Sequence, residues 1–81
     1  MQDEYTEEHR GPQALHSEKL ESDRKKFYLD LRENDRGRFI KITEDVRGRR
    51  DTIMLPAELL SDFCDALENI EDYIADNPRE V

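Results

Sequence analysis

One stretch in the middle of the chain, Lys25–Glu33 (KKFYLDLRE), alternates strictly. Phe27, Leu29 and Leu31 fall on one side, and Tyr28, Asp30 and Arg32 on the other. A period of two is the signature of a strand whose two faces meet different surroundings. Asn34-Asp35-Arg36-Gly37 follows as a turn, with Gly37 free to take positive φ. Arg38–Glu44 (RFIKITE) alternates again, placing Ile40 and Ile42 with the apolar set and Phe39, Lys41 and Thr43 opposite. Two alternating runs joined by turn residues make a hairpin. Any fold of this chain is therefore built around an antiparallel sheet with one covered face.

The flanks extend that hairpin. Gln13–Glu21 has sparse apolar residues (Ala14, Leu15, Leu20) and suits an edge strand. A polar turn, Asp45–Arg50, leads into a short strand, Asp51–Leu55, which adds Ile53 and Leu55 to the apolar face. Pro56 closes that strand and suits the first turn of a helix. From Ala57 to about Asp76, Leu59, Leu60, Phe63, Leu67, Ile70 and Ile74 recur at three- and four-residue steps, the mark of an amphipathic helix. Asn77-Pro78 stops it. The expected fold class is α+β: a four-stranded antiparallel sheet, then one C-terminal helix laid on a face of it. Residues 1–12, ending in Gly11-Pro12, read as a flexible acidic tail, 13–76 as the folded unit and 77–81 as a second tail.

Charge is unevenly distributed. The chain of 81 residues has a formal net charge of −8, yet residues 24–55 carry ten Lys or Arg against six acids, a net +4. Residues 1–23 hold seven acids against two bases, and residues 56–81 hold eight against one. The middle third can meet phosphates even though the whole chain is acidic. Alternation places Lys26, Tyr28, Arg32, Phe39, Lys41 and Met54 on the face away from the helix. Rings interleaved with cations are what single-stranded nucleic acid needs, because bases stack on rings while cations follow phosphates. On pattern alone, a protein-contact sheet whose second face covers a dimer interface accounts for the same residues.

Catalysis and metal binding lack a constellation. His9 and His16 stand apart, and Cys64 is a lone cysteine with no histidine placed to activate it. Asp62, Asp65, Glu68, Glu71 and Asp72 form a solvated helix face rather than a carboxylate site. That face repels phosphate and would confine a strand to the basic side of the sheet. No signal peptide or membrane-spanning run is present. The expectation is a non-enzyme without metal or cofactor, intracellular and cytoplasmic, and nucleoid-associated in a bacterium.

Lys25–Lys41, KKFYLDLRENDRGRFIK, resembles the signature of the PUR repeat, the unit of the Pur-alpha family. There two basic residues precede Phe-Tyr-Leu-Asp-Val, and a polar stretch ends in Arg-Gly-Arg-Phe before Leu or Ile and Lys. The likeness continues through Ile42, Arg47–Arg50, Ile53–Leu55 and the helix containing Phe63, and reaches back to Leu15-His16-Ser17. Asp23 and Arg24 stand where the family commonly carries Gln or Asn and Ser or Asn.

The resemblance implies a whirly-like ββββα repeat, two of which intertwine. With one repeat per chain, that means a homodimer held by Phe63, Leu67 and Ile70. It implies binding to purine-rich, especially G-rich, single-stranded DNA or RNA, with some ability to open duplex. The family's contacts fall on Lys25, Asn34, Arg36 and Arg50. Tyr28 and Phe39 are the expected stacking surfaces, with Arg32 and Lys41 beside them as cations. The competing expectation is a dimeric scaffold module of the same fold, whose acidic helix and tails bind a basic protein.

Overall fold

The structure is a computed structural model that describes residues 14–79; the expected tail at 1–12 and residues 80–81 lie outside the described residues. Four strands follow in order: β1 (Ala14–Glu21), β2 (Lys25–Asn34), β3 (Gly37–Val46) and β4 (Arg49–Pro56). They form one antiparallel meander in which sequence neighbours are sheet neighbours. A single 3-10 turn, Ala57–Leu59, leads into α1 (Leu60–Asp76). The expected α+β architecture of four strands and a C-terminal helix is what the chain adopts.

The first inner hairpin turn falls where the sequence places it, and the second is tighter than the sequence implies. In the first, Asn34 pairs with Gly37 across only Asp35 and Arg36. Asn34 Oδ1 accepts the Arg36 N–H at 2.9 Å, and Gly37 takes φ 125°. An asparagine that bonds the backbone two residues on mimics a turn of main chain, which is why Asn leads such loops.

The second turn was expected to span Asp45–Arg50, but it contains only Arg47 and Gly48. Arg49 and Arg50 are strand residues opposite Val46 and Asp45. Arg47 (φ 55°) and Gly48 (φ 90°) both adopt positive φ, the combination whose twist matches the flanking strands. Asp45 Oδ1 accepts the Gly48 N–H at 2.9 Å and helps hold that geometry.

Register assigns the faces. Leu29, Ile42 and Ile53 stand in one row across the sheet, and Leu31, Ile40 and Leu55 in the next. Ile40 and Leu55 are buried beside the 3-10 turn, which packs against β3. Ile53 and Leu20, on the same face, remain 57% and 60% exposed. The opposite face holds the most enclosed groups, Tyr28, Asp30 and Thr43, on the two central strands. Asp30 is satisfied by the Ser17 hydroxyl, which donates at 2.7 Å. A buried carboxylate needs such a partner to offset its lost hydration.

The helix does not lie on its own sheet, contrary to expectation. None of its residues is buried, and the 3-10 turn rather than the helix makes the contact with β3. Phe63, Leu67 and Ile70, expected at a dimer contact, are 38%, 53% and 56% exposed in the single chain. Only the three residues Ala57–Leu59 stand between β4 and the helix. At its far end Asn77 donates through both its backbone N–H and its side-chain amide to the Tyr73 carbonyl, at 2.9 and 3.0 Å. No helix among the described residues is long and apolar enough to cross a membrane.

Candidate nucleic-acid interface

The polar face is a set of cross-strand rows, because directly opposed residues in an antiparallel pair share a face. From one end these run Arg32–Phe39–Pro56, Asp30–Lys41–Met54, Tyr28–Thr43–Thr52 and Lys26–Asp45–Arg50. The end nearest the β2–β3 turn carries a ring and a thioether next to cations. The middle is hydroxyl and carboxylate, with Thr43 and Thr52 hydroxyls 3.4 Å apart. The other end mixes Lys26 and Arg50 with Asp45.

At the first end the surface opens into a recess of about 370 Å³, lined by Asn34, Arg36, Gly37, Arg38, Phe39, Met54 and Pro56. Phe39, Met54 and Pro56 supply its apolar lining, and Asn34, Arg36 and Arg38 its polar one. The Asn34 oxygen is committed to the Arg36 N–H. What the side chain can offer a ligand is therefore its two NH2 donors. Arg32 stands next to Phe39 across the strand pair, and Lys41 next to Met54. Five expected residues thus gather at one end: Arg32, Asn34, Arg36, Phe39 and Lys41.

The other three do not join them. Tyr28 is only 3% exposed, so its ring presents no face to a base; Lys19 Nζ lies 5.6 Å from its centroid. Its central-strand position encloses it, and its role here is packing rather than stacking. Lys25 lies at the opposite end and on the apolar side, where its Nζ is 2.9 Å from Glu44 Oε2 and 5.8 Å from the Phe27 ring centroid. Arg50 is at the same far end, its Nε donating to Asp45 Oδ2 at 3.0 Å.

Among the described residues, Asp45 is the one group whose titration is clearly displaced. The Gly48 N–H, then the Arg50 guanidinium, hold its carboxyl below the usual carboxylate range. Both hydrogen bonds favour the charged form.

Arg38, Met54 and Pro56 complete the recess. The alternation had put Met54 on this face, but Arg38 and Pro56 were not singled out. Placing the turn at Arg47–Gly48 would have found Pro56, since that register sets it opposite Phe39. The available signal was the Arg-Gly pair preceded two residues earlier by Asp45, an acceptor for the turn's own N–H.

A sheet with a ring, a thioether and an amide at one end, flanked by cations, belongs to the class of surfaces that take up unpaired bases. The family model described as "PurA ssDNA and RNA-binding protein" matches residues 1–81, and the chain belongs to that family. The description is of nucleic-acid-binding proteins, not of enzymes. The chain is 44% identical over 77 residues to the transcriptional activator protein Pur-alpha of Homo sapiens, covering 84% of this chain and 24% of that protein. It is 44% identical over 84 residues to the human transcriptional regulator protein Pur-beta, covering 83% and 27%. Against the human purine-rich element-binding protein gamma, identity is 39% over 74 residues, covering 74% and 21%. The chain spans about a quarter of the length of these curated relatives.

Proposed function

We propose that this chain binds purine-rich, particularly G-rich, single strands of DNA or RNA, and does so as a homodimer. The observation that carries the reading is the recess at the β2–β3 turn, where Phe39, Asn34 and Arg36 come together. A base laid on Phe39 gains about 1–3 kcal/mol from stacking. The Asn34 NH2 group donates toward acceptors, and guanine presents two on one edge, N7 and O6. Arg36, with Arg32 and Lys41 beside the recess, neutralises the phosphates. Purine preference is supported by this donor and by the name of the gamma relative.

Dimerisation follows from two apolar surfaces that one copy leaves uncovered. The helix exposes Phe63, Leu67, Ile70 and Ile74, and the sheet exposes Ile53 and Leu20. Within one chain the helix buries none of its residues, whereas a second copy would supply a helix for each sheet. Covering them exchanges exposed for buried apolar area at about 25 cal/mol per Å². We place the activity inside the cell, in transcription, replication or RNA regulation.

The test is an anisotropy titration against labelled G-rich and pyrimidine-rich single strands, with sedimentation to fix the mass of the binding species. Salt-sensitive preference for the G-rich strand by a species of twice 9.7 kDa supports the reading. Equal or absent binding to both strands, or a monomer that binds as well, counts against it.

A further inference from the structure

β1 begins beside the recess. Ala14 stands opposite Arg32, Arg32 opposite Phe39, and Phe39 opposite Pro56, so the first residue of the sheet shares a row with the recess lining. Three strand spacings separate Ala14 from Pro56, about 14 Å at roughly 4.8 Å each. Because β1 runs antiparallel to β2, the residues before Ala14 join the sheet at the end that carries the β2–β3 turn. Those thirteen residues hold Asp3, Glu4, Glu7 and Glu8 against Arg10, a net −3 with His9 neutral. Residues 32–41 carry four cations, Arg32, Arg36, Arg38 and Lys41, against two acids, Glu33 and Asp35. Arg32 already has a partner of its own, and Arg38 meets Glu33 at 3.9 Å with both side chains more than half exposed. An exposed pair of that length adds little stability, so Arg38 can turn to another carboxylate.

The order of residues in the acidic segment adds a second point. Asp3-Glu4-Tyr5-Thr6-Glu7-Glu8 sets one ring between two pairs of acids. A base between two phosphates has the same make-up, a flat π-surface with negative charge on either side. The recess supplies the complement, with Phe39 for a ring and Arg36 and Arg38 for anions. Arginine takes up carboxylate and phosphate through the same paired N–H bonds. The reach is sufficient. Glu8 lies six residues and Tyr5 nine residues before Ala14, spans of up to about 20 and 30 Å at roughly 3.3 Å per residue.

We propose that residues 3–8 dock into the recess of their own chain, Tyr5 against Phe39 and the carboxylates against Arg36 and Arg38, and so compete with nucleic acid for it. The inference rests on the single-strand binding proposed above. A ligand held by a short linker acts at an effective concentration of the order of millimolar. Even a weak contact then sets a threshold, because a strand binds only when its own stacking and phosphate contacts outweigh those of the segment.

The experiment compares the full chain with three full-length variants, using one labelled G-rich strand at low and moderate salt. The first neutralises the segment (Asp3→Asn, Glu4→Gln, Glu7→Gln, Glu8→Gln). The second, Tyr5→Ala, removes only its ring. The third takes the same number of charges from the helix (Asp65→Asn, Glu68→Gln, Glu71→Gln, Asp72→Asn). The neutralised segment should bind the strand about two- to tenfold tighter than the parent at low salt, and the gain should shrink as salt rises. Tyr5→Ala should show part of that gain, and the helix variant clearly less than the neutralised segment. Without nucleic acid, the amide resonances of Gly37, Arg38 and Phe39 should move in both segment variants and stay in place in the helix variant. An equal gain in the helix variant, or resonances at those three residues that match the parent in both segment variants, overturns this inference and leaves the recess as a strand site. Absence of strand binding in every protein overturns the proposed function, and the resonances then still decide whether the segment docks.

Discussion

Asn34 Oδ1 accepts the Arg36 N–H at 2.9 Å, so the amide and the cation at the head of the recess are held as one unit. The bond fixes which end of the amide faces outward: the acceptor is consumed and the donors remain. Asn34→Asp separates the two roles. It keeps the oxygen that closes the turn but replaces the donors with a negative charge. The unfolding midpoint should stay close to that of the parent, while affinity for a G-rich strand falls at least about tenfold, equivalent to roughly 1.4 kcal/mol. Circular-dichroism melts and anisotropy titrations on the same samples read the two effects apart.

Phe39 and Tyr28 should behave oppositely, because one lines the recess and the other is buried. Phe39→Ala removes a stacking platform and is expected to weaken binding by about 1–3 kcal/mol, or roughly five- to 150-fold. Tyr28→Phe keeps the packed ring, so affinity should stay within roughly twofold even if stability drops by about 1 kcal/mol with the hydroxyl. A larger binding loss in Tyr28→Phe would place the base on the wrong ring in this account.

The contrast marks how far the sequence alone reaches. Alternation in Lys25–Glu33 and Arg38–Glu44 was enough to place both inner strands and assign their faces, because a two-residue period allows no other arrangement. The 3.6-residue rhythm from Leu59 to Ile74 likewise located the helix. Neither pattern says what covers an apolar surface. Phe63, Leu67 and Ile70 look the same in sequence whether they meet their own sheet or another copy. Tyr28 was misread for a related reason. Alternation reports which face a ring is on, but enclosure depends on the neighbouring strands. The Asp45–Arg50 clamp stayed hidden because residues expected in a loop proved to be paired in a two-residue hairpin.

That clamp carries a pH signature. The Asp45 carboxyl is held below the ordinary value by the Gly48 N–H and Arg50, so its folded form favours the ionised group. The associated stability is present above the unfolded carboxylate value of about 3.9 and is lost as pH falls through the lower folded value. The expected result is a urea midpoint that drops on acidification below about pH 4 by more in the parent than in Asp45→Asn, which has no such proton to take up. An equal drop in both proteins would mean the clamp adds no acid sensitivity.

The uncovered helix gives a prediction about assembly. Leu67→Glu puts a charge in the middle of the apolar stripe and should convert a dimer into a 9.7 kDa species by sedimentation equilibrium. Binding should fall with it, because the sheet's apolar side would then lack the helix that a second copy supplies. A Leu67→Glu protein that remains dimeric would show that another surface holds the copies together.

The most direct measurement is the affinity of the purified chain and of Phe39→Ala for one labelled G-rich single strand, taken at low and moderate salt. The account predicts tight binding by the parent that weakens steeply with salt, and a loss in Phe39→Ala of the size given above with the dimer intact. Parent binding that ignores both salt and the loss of the Phe39 ring would contradict it, since neither phosphate contact nor base stacking at the recess would then be holding the strand.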